Sequence, residues 1–291
     1  MKLRRTMLFM PGNNPGMLQT APVFGSDAVI FDLEDAVALT EKDAARILVS
    51  EALKTMKYDT VEVVVRVNPL STPFADKDID VIARLKPDAI LLPKACPEDI
   101  TELDRRLNKI EEEEEGFEHG SIKIHPLVET TYGVEKVYET IKASPRVISV
   151  LLGGEDLAVD LGVKRTKNSD ELLYSRTKII NACKACKVDA IDTPFTDTND
   201  YEGLMADTLK AKMLGFTGKL SINPRQIDTI HKGYAPSEAE ITHAQRVMAA
   251  KEEAAKQGLG VFSLDGKMVD LPIINRAIHT LDMAKLMGLI D

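Results

Sequence analysis

Charged and polar side chains stand within or directly behind short apolar runs along the whole chain. They are Glu34 in FDLEDAV, Arg66 in VVVRVN, Lys94 in LLPKA, Glu129 in LVETTYG, Glu155 and Asp156 in LLGGEDLA, and Asn223 with Arg225 in SINPRQI. Glu129 and Asp156 follow consecutive apolar runs. Two carboxylates on neighbouring strands, completed by water and substrate oxygens, suit Mg²⁺, which prefers hard oxygen ligands and keeps open positions. Arg66 interrupts an otherwise apolar run. A buried guanidinium without a partner is costly, so it must face a carboxylate. That partner is either a strand-end acid such as Glu34 or a substrate carboxylate gripped by two parallel N–H groups. Each residue also reads singly as an ordinary cap or loop residue, because strand ends are commonly polar. The set weighs more, since acids, an arginine and a lysine meet at one place. Histidines at 119, 125, 231, 243 and 279 show no paired spacing, which disfavours zinc. Cys183 and Cys186 form a C-x-x-C in a helical stretch with no second pair, and we read it as incidental.

For these side chains to converge, the runs before them must be strands of one parallel sheet. Eight such runs occur, at 6–10, 28–31, 61–67, 89–92, 122–128, 147–152, 188–191 and 219–222. Most are near-continuous rather than alternating, as expected for parallel strands buried on both faces. Helical patterns lie between them at 41–56, 97–114, 135–143, 171–187 and 201–214. This order predicts an α/β fold, a (βα)8 TIM barrel whose active site lies at the C-terminal strand ends. A doubly wound open sheet is the alternative, and it rarely spends eight strands so evenly. We place the barrel at 1–235 and a C-terminal helical extension at 236–291. In the extension, Ser237 is a candidate N-cap for a helix to Lys256. The stretch 258–266 reads as a loop or hairpin, and a last helix spans 273–287. The extension packs on its own barrel or reaches a neighbouring subunit. The run Glu111 to Glu115 reads as a solvated helix end.

The bulk numbers bound the function. The chain has 291 residues, 44% of them hydrophobic, and a formal net charge of −9. A chain-wide basic footprint for nucleic acid is absent. No apolar stretch approaches the roughly 18 residues of a membrane span, and TMLFM is too short for a secretory signal before Pro11 and Gly12. Three cysteines in a long chain point away from disulfides and toward a reducing cytoplasm.

With these residues in view, the chain resembles the citrate lyase β-subunit family, within the larger group that includes the citramalyl-CoA and malyl-CoA lyases. The resemblance covers nearly the whole chain. It rests on RRTMLFMPGNNPGM, FDLEDAVALTEKDAAR, VVVRVNPL, LLPKA, LVETTYG, GGEDLAVDLG, GFTGKLSINPRQI and GLGVFSLDGKMVDLP, in that order. It implies a TIM barrel with an extra C-terminal segment, assembled as a homotrimer or hexamer. It implies Mg²⁺-dependent cleavage of a 3-hydroxy-acyl thioester; in the citrate lyase case, citryl thioester becomes acetyl thioester and oxaloacetate. By motif, Glu129 and Asp156 correspond to the metal ligands and Arg66 to the arginine that holds the substrate carboxylate. The glycines before Glu155 would let backbone N–H groups approach the substrate carboxylates, with Gly154, Glu155 and Asp156 in contact with substrate. Glu34 is a candidate to orient metal-bound water, or else a structural partner of Arg66 or Lys94.

The same resemblance extends to the carrier and the partners. Asp270 of GKMVDLP matches an aspartate that malyl-CoA lyases supply from a neighbouring subunit, as acid or base at the substrate methyl carbon. It reads as readily as a helix N-cap before Pro272. The thioester carrier is coenzyme A or the phosphopantetheine-type arm of an acyl carrier subunit. Its phosphates are expected against Arg4, Arg5, Asn223 and Arg225. A citrate lyase α subunit and an acyl carrier subunit are the implied partners. Asn223, where many members outside the lyase complex carry His, is typical of the complex-bound β subunits, whereas LVETTYG and VDAIDTPF look more like stand-alone members. A stand-alone citramalyl-CoA or malyl-CoA lyase is therefore the alternative. A non-catalytic acyl-CoA-binding subunit is a third reading, disfavoured because Glu129, Asp156 and Arg66 are all present.

Overall fold

The computed structural model describes residues 2–256, 258 and 260–291. The chain divides into two compact units, one ending at Gly233 and one running from Tyr234 to Asp291. The first unit is a closed barrel of β1 (Thr6–Pro11), β2 (Ala28–Asp32), β3 (Glu62–Arg66), β4 (Ala89–Leu92), β5 (Lys123–Val128), β6 (Ser149–Leu152), β7 (Asp189–Asp192) and β8 (Gly218–Ser221). Each strand pairs in parallel with the next, and β8 returns to β1, so no sheet edge is left open. Helices between the strands form the outer ring, among them Lys42–Thr55, Pro97–Glu113, Leu173–Cys186 and Tyr201–Leu214. This is the α/β TIM barrel that the spacing of apolar runs predicts.

The two-residue period of the strands decides what reaches the mouth. Met7, Ile30, Val64, Leu91, Leu127, Leu151, Ile191 and Leu220 fill the barrel interior. Leu8, Val29, Val65, Ile90, Val128 and Val150 belong to the clusters packed beneath the helices. Two residues beyond the interior layer stand Phe9, Asp32, Arg66, Glu129 and Gly153, which share one cavity at the C-terminal strand ends. The register sets Asp32 beside Arg66, and pairs Val128 with Leu152 so that Glu129 and Gly153 follow side by side.

The opposite end is closed by a charged floor. Arg4 Nε donates to Glu62 Oε2 at 2.6 Å and Arg4 Nη1 to Asp189 Oδ2 at 2.9 Å. Arg5 Nη2 donates to Asp27 Oδ1 at 2.7 Å. His125 is fully buried there, 2.7 Å from Ser149 Oγ, and burial lowers its pKa to about 3. Arg4 and Arg5 are thus not contacts for a carrier at the mouth. They precede β1, whose six residues span roughly 20 Å, and their guanidinium groups are already paired.

Other local readings change as well. The helix expected at 135–143 is two short helices, Thr131–Glu135 and Val137–Lys142, broken at Lys136. Glu111 is not a solvated helix end. It is buried, pairs with Arg146 Nη2 at 2.5 Å and accepts from Gly120 N at 2.8 Å. The helix Gly154–Asp160 has no counterpart in the sequence reading, because its paired glycines and acids look like a loop.

In the second unit, helix Glu238–Lys256 and helix Leu271–Leu286 flank an antiparallel hairpin of β9 (Phe262–Leu264) and β10 (Lys267–Val269). Ser237 and Glu240 form a reciprocal cap: Glu240 N donates to Ser237 Oγ at 3.2 Å, and Ser237 N donates to Glu240 Oε2 at 2.7 Å. Ala244, Val247, Val269, Ile274 and Ala277 make the core of this unit. Leu259, inside the expected loop, lies outside the described residues. Among the described residues no helix is long and apolar enough to cross a membrane.

Candidate active site

The cavity at the mouth has a volume of about 340 Å³ and is lined by Phe9, Asp32, Arg66, Glu129, the segment 153–156, Pro194 and Leu220, among others. Its geometry starts from Asp32, which sequence reasoning did not single out as a site residue. One carboxylate organises both an arginine and a loop. Asp32 Oδ1 and Oδ2 accept from Arg66 Nε at 2.7 Å and Nη2 at 2.6 Å, and also from the N–H groups of Glu34 at 2.8 Å and Ala36 at 3.0 Å. Arg66 Nη1 lies 2.8 Å from Glu34 Oε2, and the guanidinium stacks 4.8 Å from the centroid of the Phe9 ring. Burial alone would lower the Arg66 pKa, but Asp32, Glu34 and Asp35 outweigh it and hold the guanidinium charged. The loop after β2 is fixed again by Lys42 Nζ, which donates to the carbonyls of Leu33 at 2.8 Å and Glu34 at 2.7 Å. Arg66 thus has the strand-end partner expected of it, and the principal partner is Asp32, with Glu34 second.

Glu129 is buried beside this clamp. Its Oε1 accepts from Lys94 N at 2.8 Å, while Lys94 Nζ lies 3.2 Å from Glu34 Oε1 and 3.8 Å from Asp156 Oδ2. Burial raises the Glu129 carboxyl to about 8, with further upward pushes from Glu34 and Asp156. Glu34 is also raised, chiefly by burial, with Arg66 and Lys94 opposing. Asp156 sits in the first turn of the helix Gly154–Asp160, where a carboxylate is favoured. Among the described residues no group of three or more His, Cys, Asp or Glu side chains is arranged to hold a metal. Glu129 and Asp156 therefore offer a divalent hard cation two oxygen donors and leave its other positions to water or substrate.

The two glycines before Glu155 serve packing rather than donation. Gly153 N donates to Val128 O at 3.0 Å and Gly154 N to Thr193 Oγ1 at 2.9 Å, so neither N–H is open to a substrate carboxylate. A Cβ at Gly153 would fall 2.6 Å from both Cβ and Oε2 of Glu129, and one at Gly154 would fall 2.6 Å from Thr193 Oγ1. Gly153→Ala is expected to displace the Glu129 carboxylate and lower kcat/KM by about 100-fold, the scale of a 1 Å misplacement. Steady-state kinetics beside a thermal melt check this; unchanged kinetics would mean that the Glu129 position does not matter.

The remaining expected residues fall as follows. Glu155 is exposed at the cavity rim and pairs with Arg165 Nε at 2.9 Å. Asn223 and Arg225 follow β8 at the mouth end, where Asn223 Oδ1 accepts from Arg225 N at 3.0 Å. Asp270 belongs to the second unit and caps the helix Leu271–Leu286, accepting from Ile273 N at 3.4 Å. Asp192, at the end of β7 and not among the expected residues, does not face the mouth. It points outward into a buried network with Arg176 at 2.8 Å and Lys219 at 2.9 Å, closed by Asp207.

A closed parallel barrel whose C-terminal mouth gathers carboxylates, a clamped arginine and a lysine is the arrangement of a TIM-barrel enzyme. The HpcH/HpaI aldolase/citrate lyase family matches residues 5–224, and the chain belongs to that family. It is 44% identical over 290 residues to the citrate lyase subunit beta of Leuconostoc mesenteroides subsp. cremoris, covering 100% of this chain and 96% of that protein. It is 31% identical over 298 residues to the mitochondrial citramalyl-CoA lyase of Rattus norvegicus, covering 97% of this chain and 86% of that protein. Its fold is similar, with a TM-score of 0.81 and 29% identity, to the crystal structure of CitE from Mycobacterium tuberculosis in complex with magnesium, acetoacetate and coenzyme A. That match covers 97% of this chain and 98% of the other.

Proposed function

We propose that the chain is a carbon–carbon lyase that cleaves a 3-hydroxy-acyl thioester, namely citryl-CoA or the citryl thioester of an acyl carrier, to an acetyl thioester and oxaloacetate. The observation that carries the reading is the meeting of Glu129, Asp156 and the clamped Arg66 in one cavity. The similarity to citrate lyase β subunits over the full chain supports the substrate class. Glu129 and Asp156 fit Mg²⁺. Both are hard oxygen donors, and Glu129 stands close enough to Glu34 and Asp156 for each to push its carboxyl up, a repulsion that a divalent cation would offset. Glu129 and Asp156 would hold such an ion, which would supply Lewis acidity to the substrate.

The chain's own residues supply the rest. In cleavage the hydroxyl proton leaves and the carbonyl of the 2-oxoacid forms. The bond to the thioester's α-carbon breaks, and its electron pair passes into the thioester enolate. That enolate takes up a proton at the α-carbon to become the acetyl group. Arg66, held rigid by Asp32, offsets the substrate's carboxylate charge and fixes its orientation. Glu34 orients water in the mouth, and its raised carboxyl makes it a competent acceptor for the hydroxyl proton. Asp270, supplied by a neighbouring copy in a homotrimer or hexamer, acts at the methyl carbon. Asn223 and Arg225 meet the phosphates of the carrier arm. The α and acyl carrier subunits are the partners of this reading. A cytoplasmic location goes with it, supported by three free cysteines.

A screen of citryl-, citramalyl- and malyl-CoA against the purified chain tests the substrate. Preferential release of oxaloacetate from citryl-CoA is expected. Preferential turnover of citramalyl-CoA or malyl-CoA, without added subunits, would favour the stand-alone lyase, a reading that the rat relative keeps open. A pH prediction accompanies the metal site. Below about 8 the Glu129 carboxyl is protonated in the metal-free protein, so binding Mg²⁺ must release that proton. The affinity for Mg²⁺ is expected to rise with pH up to about 8 and then level off. Calorimetry in buffers of different ionisation enthalpy checks it; an affinity that is flat below 8 would remove Glu129 from the ligand set.

A further inference from the structure

Lys94 has a left-handed backbone, φ 50°, which residues with a side chain rarely adopt. The conformation aims its two polar groups in one direction. Its N–H meets Glu129 Oε1 at 2.8 Å, and its ammonium reaches Glu34 Oε1 at 3.2 Å and Asp156 Oδ2 at 3.8 Å. Three carboxylates of the mouth therefore share this one lysine. Arg66, which lines the cavity, is a cation of a different kind. Its side chain is 9% exposed, and two of its nitrogens are committed to Asp32. Lys94 is 45% exposed and swings on a flexible stem.

We propose that Lys94 is the resident counter-cation of the mouth: in the metal-free protein its ammonium pairs with Glu34 and Asp156 while its N–H holds Glu129, and it competes with the divalent ion for the same carboxylates. The inference rests on the reading of Glu129 and Asp156 as metal ligands. A unit positive charge a few ångströms from a divalent cation is strongly unfavourable at the effective dielectric of a partly enclosed site, so the ammonium withdraws when the ion enters.

Mg²⁺ titration by calorimetry at pH 9 tests the proposal in the full chain. The variants are Lys94→Met, Lys94→Gly, which accepts the positive φ, and Lys94→Arg. The Met and Gly variants are expected to bind Mg²⁺ about tenfold more tightly than the parent protein, the scale set by removing one nearby like charge. Their melting temperatures should fall in EDTA and recover in saturating Mg²⁺, while Lys94→Arg stays near the parent in affinity. Unchanged or weaker Mg²⁺ binding in both uncharged variants overturns the proposal and leaves Lys94 a structural brace. If the parent itself binds Mg²⁺ no better than a Glu129→Gln, Asp156→Asn double variant, the metal-site reading fails, and the proposal fails with it for a separately visible reason.

Discussion

Glu129→Gln is expected to lower kcat/KM by about three orders of magnitude, equivalent to roughly 4 kcal/mol of transition-state stabilisation. Glutamine keeps the shape of the side chain and removes the charge. The variant still fits beside Gly153, which leaves no room for rearrangement there. It also keeps an oxygen to accept from Lys94 N, now 2.8 Å from Glu129 Oε1. The fold should therefore survive. Burial raises the parent carboxyl to about 8, so the variant should melt at or above the parent temperature when metal is absent. Mg²⁺ binding should weaken by more than about 100-fold, since even residues that only orient metal ligands contribute 10- to 100-fold. Kinetics, calorimetry and a melt in EDTA separate these effects. Activity within tenfold of the parent would exclude Glu129 as a ligand.

Asp32→Ala is expected to have the largest effect on stability, about 3–5 kcal/mol, because it strands a buried guanidinium rather than removing a pair. Arg66 would lose two short hydrogen bonds, and the N–H groups of Glu34 and Ala36 would lose their acceptor. At about 2–4 °C per kcal/mol for a unit of this size, the melting temperature should drop by roughly 10 °C. Activity should fall too, through the arginine and through the loop that carries Glu34. Asp32→Asn keeps the shape of the side chain but only one of its two acceptor oxygens, and should lose less stability while still misaiming Arg66. That variant should show a raised KM when it is assayed well below its melting point. A normal KM in a stably folded Asp32→Asn would reduce Asp32 to a purely structural ion pair.

The barrel was legible because parallel strands buried on both faces leave near-continuous apolar runs, and eight of them recur in this chain. The same logic exposed Glu129 and Asp156, since polar residues behind such runs stand at one mouth, and Arg66 stood out as a charge within such a run. Asp32 was hidden by its company: FDLED places three acids within four residues, and the period of β2 decides that Asp32 follows Ile30 on the inward face. That signal was available once the strand was placed. Arg4 and Arg5 were misread for a related reason. Residues before a strand lie at the end opposite those after it, yet their basic charge and their motif drew attention to a phosphate. Lys94 is different, because its left-handed backbone follows from no local propensity. The glycines of LLGGEDLA invited a role in substrate contact, whereas the space they leave is taken by Glu129 and Thr193.

The most direct measurement is the product balance from citryl-CoA with the chain freed of metal by EDTA and then given Mg²⁺. The account predicts no oxaloacetate before Mg²⁺ is added, and afterwards oxaloacetate and acetyl-CoA in equal amounts, with Glu129→Gln silent in both conditions. Equal product formation with and without Mg²⁺, or full turnover by Glu129→Gln, would contradict it.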